Sequence, residues 1–174
     1  VGVDVSGGYK RDSSAISCID SRTTKLFADL NCNYIPPTDL SRVIYELVST
    51  RMPNAVVNVE RNGGFGASVL AALIASNIKR NLYYEIKDRV IEERIMGNNV
   101  HKITQKTKVY GTDNTKNTRE LLIQILRERV EYHKDKIISP NIYEELCGMD
   151  VKKNGKIEHS TNTHDDSVFS WLMA

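Results

Sequence analysis

Acidic residues stand at three places where the local sequence gives them something other than a solvated surface. Asp4 lies inside the small apolar pattern "VGVDVS". A carboxylate there is costly unless it is paired, hydrogen-bonded or bound to a cation; the turn amides of Gly7 and Gly8 are the plain alternative partners. Glu60 closes the β-branched run "AVVNVE", at the strand end where α/β sheets place their sites. A salt bridge to Arg61 would explain it as simply. Asp165 and Asp166 open the last apolar run in "STNTHDDSVFSWLMA". Thr163-x-x-Asp166 has capping-box spacing, and acids suit a helix N-terminus. At about 100° per residue, Val168, Phe169, Leu172 and Met173 form one stripe. Asp165 falls near its centre and Asp166 at its edge, which favours Asp165 as the inward acid.

Strand order can bring these stations to one edge of a sheet. Convergent carboxylates repel unless a cation intervenes, and an all-oxygen donor set suits Mg²⁺ or Mn²⁺. Two such ions, about 3.5–4 Å apart, clamp the attacking and leaving oxygens of a phosphodiester.

The elements that must position these acids follow from periodicity. "VGVDVS", "SSAISCID" and "KLFADLNCNY" read as a three-strand meander ended by Pro36-Pro37. Thr38 then caps a helix that buries Leu40, Val43, Ile44, Leu47 and Val48. "AVVNVE" reads as a buried strand, "RNGGFGAS" as a Gly-rich turn, "VLAALIASNI" as a helix and "NLYYEI" as a further strand. Residues 90–110 fit either a hairpin turning at Gly97-Asn98-Asn99 or a helical turn in "VIEERIM". Residues 117–132 read as a helix with Leu121, Leu122, Ile125, Leu126 and Val130 inward. "NIYEEL" is a short helix, Asn154-Gly155 a hairpin turn, and the last helix starts near Thr163. This order predicts an α/β fold, a mixed β-sheet with helices on its faces.

The 174 residues suffice for one domain with a sizeable core. A net charge of +2 marks no polyanionic partner by itself. Cys18, Cys32 and Cys147 are odd in number and far apart, which argues against a disulfide framework or zinc site and fits a reduced, intracellular setting. The longest apolar stretch is too short to span a bilayer. The chain opens on a strand with no Met and no signal peptide, as expected of a fragment of a longer protein.

"VGVDVSGG…DSSAI", "VVNVERNGGFGASVLAAL", "YGTDNTKNTRELLI" and "HDDSVFSWLMA" together resemble the C-terminal nuclease domain of the large terminase subunit of tailed bacteriophages. The resemblance covers almost the whole chain, as a single nuclease domain over residues 1–174. It implies an RNase H-like mixed β-sheet with helices on both faces. It also implies a two-metal endodeoxyribonuclease, using Mg²⁺ or Mn²⁺, that cuts concatemeric viral DNA during genome packaging. Asp4 and Glu60 then match the first two metal-holding acids, and Asp165 or Asp166 the third. Asp12 matches an additional acid of some members. Implied partners are double-stranded DNA and, in the full-length protein, an ATPase motor, the portal and the small terminase subunit, in the host cell cytoplasm. Residues 79–119 carry ten Lys or Arg against five Asp or Glu, interleaved with Tyr83, Tyr84 and Tyr110. Such a stripe fits phosphate-backbone contact; an ordinary solvated surface is the alternative. Lys106, Lys108, Lys116 and Arg119 are the candidate DNA contacts, the last two in the family's Thr-rich stretch, here "TDNTKNTR".

No G-x-x-x-x-G-K-[ST] occurs, so the motor domain lies outside this chain. "NGGFGAS" is better explained by a close strand–helix turn than by a phosphate loop. "DVKKNGKI" lacks the ligands of a calcium loop. His101, His133 and His159 show no ligand spacing. "VGVDVSGG" also resembles the phosphate hairpin of the actin and sugar-kinase superfamily, but the second Gly-rich motif is missing. A Holliday-junction-resolvase-like nuclease and a non-catalytic DNA-binding or assembly module on the same fold are the other readings.

Overall fold

A computed structural model describes residues 1–8, 12–96, 99–133, 139–152, 156–160 and 163–174. Strands β1 (Gly2–Asp4), β2 (Ser14–Ile19) and β3 (Leu26–Cys32) form the expected antiparallel meander. β4 (Asn58–Val59) returns parallel to β1, giving the order β3-β2-β1-β4 with the first strand internal. The ladder at β4 is only two residues long. Single bridges extend it, from Val57 to Leu82 and from Glu60 to Thr112.

Alternation along β1 and β2 sends side chains to two different cores. Val1, Val3, Ile16 and Cys18 face one aliphatic cluster, shared with α1 (Pro37–Glu46) and α2 (Phe65–Ile74). There Leu40, Ile44, Val48, Val57, Val59 and Val69 are wholly buried, each stabilising the fold by about 1.5–3 kcal/mol. The opposite face carries α5 (Asp166–Met173), backed by α3 (Lys116–Glu128) and α4 (Pro140–Cys147). Gly2 makes that second contact possible. A Cβ on it would sit 1.9 Å from Ser170 O and 2.7 Å from Ala174 N, so α5 lies directly on the β1 backbone. Ser17 Oγ and Ser170 Oγ, 2.8 Å apart, pin α5 to β2.

Several local expectations change. Pro36 occupies the N-cap of α1 with no side-chain cap, and Pro37 rather than Thr38 starts the helix; proline suits the first turn because its missing N–H has no partner there. Val43 is 37% exposed. In α3 the buried residues are Ile123 and Leu126, while Leu121 and Val130 are exposed. The helix turns its face toward α5 rather than toward the sheet, which shifts the stripe.

Residues 90–96 and 99–110 are strand, not helix. β5 (Tyr84–Met96) pairs antiparallel with β6 (Asn99–Tyr110); the proposed turn residues Gly97 and Asn98 lie outside the described residues. This ribbon is an insertion at the edge of the main sheet. Tyr83 N–H donates to Val57 O and Thr112 N–H to Val59 O, so the chain leaves from β4 and returns to it. At the ribbon's base Tyr84 and Tyr110 pack edge-on, 5.9 Å between centroids. β7 (Met149–Val151) and β8 (Ile157–His159) form a second small hairpin, whose expected Asn154-Gly155 turn also lies outside the described residues. All three cysteines are free. Among the described residues no helix is long and apolar enough to cross a membrane.

Candidate active site

Gly2 stands opposite Asn58 and Val3 opposite Val59, so Asp4 and Glu60 leave two parallel strands at the same level. Glu60 N–H donates to Val3 O at 2.8 Å, which locks that level. Val3 and Val59 point into the aliphatic core, and alternation turns Asp4 toward α5. The Asp4 and Glu60 carboxyls come within hydrogen-bonding reach of each other. Burial raises Asp4 well above the usual carboxylate range. The adjoining Glu60 carboxyl raises it further, and the charges of Asp166 and Asp165 act in the same direction. Neither plain alternative is used. Gly8 N–H donates to Ser6 Oγ at 3.3 Å, not to Asp4, whose partner is the Glu60 carboxyl. Arg61 makes a two-pronged ion pair with Asp113, its Nε 2.7 Å from Oδ1, and so turns away from Glu60.

The Gly-rich turn after Glu60 is a packing device. Gly63 and Gly64 have φ of +73° and +75°, the left-handed region that favours glycine. A Cβ on Gly66 would lie 1.9 Å from Glu60 O, so α2 starts against the carbonyl of the second acid.

The third station differs from its sequence reading. α5 begins at Asp166, with Asp165 at the N-cap in a non-helical conformation (φ −140°, ψ 13°) and no side-chain cap bond. The stripe geometry therefore does not extend to Asp165. Thr163 makes no capping box; its Oγ1 donates to Ser160 O at 2.9 Å and Gly148 O at 3.2 Å. The cap comes from another helix. Glu145 of α4 accepts Val168 N–H at 3.0 Å through Oε2 and Asn31 Nδ2 at 3.2 Å through Oε1. Burial raises the Glu145 pKa although the α5 amides oppose it. Both aspartates are thereby released from capping.

They take different partners. Asp165 pairs with the Arg119 guanidinium, which stacks 4.1 Å over the Phe169 ring. Asp166 Oδ2 accepts Ser13 N–H at 3.1 Å. Burial pushes Asp166 up to about 6, against the pull of the Ser13 N–H and with added repulsion from Glu145 and Asp165. His164 Nδ1 lies 4.0 Å from Asp166 Oδ2 and 3.8 Å from Asp12 Oδ1. Asp12, with its side chain 74% exposed, thus reaches the group only through His164.

The candidate DNA contacts separate as well. Arg119 is inside the acid group, paired and stacked. Lys116 is exposed and 3.8 Å from Glu120, one helical turn on. Thr115 is the N-cap of α3, accepting Thr118 N–H at 3.3 Å. Lys106 and Lys108 stand exposed on β6, with Lys108 Nζ 4.1 Å over the Tyr84 ring.

As arranged, no three His, Cys, Asp or Glu side chains among the described residues converge on one point tightly enough to hold an ion. Asp165 is turned to Arg119 and Asp166 to the Ser13 amide. The donor chemistry nevertheless fits hard divalent cations: carboxylate oxygens dominate, and Asp4 has only another acid beside it. Sequence reasoning missed Glu145 and Ser13. Glu145 looks like any exposed helix acid beside Glu144, and Ser13 acts through its backbone, which no side-chain pattern announces. The sequence matches no protein-family model and no curated protein.

Proposed function

We propose that this chain is a metal-dependent DNA endonuclease domain of RNase H-like type, similar to the nuclease domain of the phage terminase large subunit. The supporting observation is Asp4 and Glu60 side by side on parallel strands, with Asp165 and Asp166 facing them from the start of α5. Asp4, Glu60 and the aspartate pair would hold Mg²⁺ or Mn²⁺. Two bound ions supply the charge that activates an attacking water and neutralises the leaving 3′ oxygen. The chain's own part is positional. β1 and β4 set the first two acids level, Glu145 holds the start of α5, Ser13 orients Asp166, and Arg119 brings a positive charge suited to a phosphate oxygen. In the terminase reading the substrate is concatenated double-stranded viral DNA, with an ATPase motor, portal and small subunit as partners of the full-length protein.

A plasmid-nicking assay with Mn²⁺ or Mg²⁺ tests this. Nicking should need the ion, stop with EDTA, and fall at least about a thousandfold in Asp4→Ala, in the range expected when a group central to charge stabilisation is lost. Cutting that survives EDTA or Asp4→Ala would sink the reading.

A further inference from the structure

A groove of about 480 Å³ opens between α3 and β8. Lys116, Arg119, Ile123 and Arg127 come from one face of α3, at helical spacings of three and four. Lys156 and Ile157 close the other side. Ile123 and Ile157 are the apolar part of the lining, and the four cations stand around them. The two acids of the lining, Glu120 and Glu158, each sit opposite a lysine, at 3.8 Å from Lys116 and 3.7 Å from Lys156. Arg119 both lines this groove and pairs with Asp165. Arg119 therefore links the groove to Asp165 of the acid group.

We infer that this groove seats one or two nucleotides of a single DNA strand leading away from the cleaved phosphate. The inference rests on the nuclease reading above and adds a strand-specific subsite to it. Charge favours a polyanion: the lining carries four basic side chains against two acids, with Lys116 and Lys156 paired to those acids and Arg119 to Asp165. Size sets the length. A volume of about 480 Å³ is that of a small-ligand pocket, typically about 300–1,000 Å³, which suits one or two nucleotides of one strand inside it. Shape selects nucleotides, because bases can lie on an apolar floor or on arginine planes while phosphates meet cations at the rim. Arg127 and Lys156 are the new contacts, beyond the hairpin lysines.

Fluorescence anisotropy with a labelled oligothymidylate of about ten nucleotides, in EDTA and at several salt concentrations, reads binding without cleavage. The double variant Arg127→Gln, Lys156→Gln should bind about tenfold or more weakly, with a salt slope shallower by about 1.4 for two lost phosphate contacts. Arg42→Gln on α1, across the sheet, should bind as wild type does. Thermal melting should place all three proteins within a few degrees. Unchanged affinity in the double variant, with wild type binding the strand, overturns the groove alone. Wild type that binds no oligothymidylate overturns the groove and leaves the nuclease reading to the nicking assay. Groove-dependent binding in a chain that never cuts with Mn²⁺ keeps the groove and removes the nuclease.

Discussion

The sheet end that carries the acids and the β5–β6 ribbon are built on opposite terms. At the sheet end Val3, Val59, Val168, Phe169 and Ser170 are buried, and Gly2, Gly66 and the serine pair Ser17 and Ser170 leave no room for adjustment. The ribbon has Ile86, Val90, Ile91 and Ile103 largely exposed. Its anchors lie at its base: the Tyr84–Tyr110 contact and the Lys87–Asp113–Arg61 ion pairs. Repelling carboxylates must be held by packing because they will not hold each other. The ribbon needs only a fixed root.

Substitutions can break or sharpen that contrast. The largest effect is expected at Gly2→Ala, where a methyl group would overlap the α5 backbone. It should cost about 3 kcal/mol or more, read as a drop in the urea midpoint, and should weaken any metal-dependent melting shift by displacing Asp165 and Asp166. A fully stable variant would show that α5 is not seated on β1. Next comes Asp166→Asn. Because the folded pKa of about 6 lies above the ordinary carboxylate value, the folded chain binds the proton more tightly than the unfolded chain. Stability contributed by this group therefore falls as pH rises from about 4 to 6. The variant should be more stable than wild type by up to about 2–3 kcal/mol at pH 7, and about equal near pH 4. An equal gain at both pH values would mean that the charge is not the cause.

Smaller still is Thr115→Ala, which removes the α3 cap and should cost about 1 kcal/mol. It leaves the acids in place, so chemical denaturation should register it more clearly than metal binding does. The least effect on folding is expected in the ribbon. Lys106→Ala should change stability by no more than about 0.5 kcal/mol. Lys108→Ala, which also loses its place over Tyr84, should cost no more than about 1 kcal/mol. Both should nonetheless weaken duplex binding at low salt. Ribbon variants that unfold the domain would erase the distinction between the two regions.

Alternation and helical spacing carried the sheet and the helix order, because apolar periodicity reports burial directly. The same logic found Asp4 and Glu60, since a charge inside an apolar strand has few places to go. It failed at the start of α5. Thr163 and Asp166 have capping-box spacing, yet a distant Glu145 supplies the cap, and a trans contact leaves no local pattern. Arg119 reads from the sequence only as a candidate DNA contact, because its stretch is polar throughout. Only the packing of α3 against α5 brings it to Asp165 and Phe169. The ribbon was ambiguous because it buries neither face fully, so its sequence owes little to period two.

The α5–β1 contact also bears on how the chain is made. Asp4 is translated more than 150 residues before Asp165 and Asp166. Until α5 emerges and docks on Gly2, Asp4 and Glu60 stand without the opposing acids. Domains tend to organise from the N-terminal side during synthesis, so a nascent chain can build the meander and α1 first. The acid group is then completed only when α5 docks, and an unfinished chain carries its carboxylates apart.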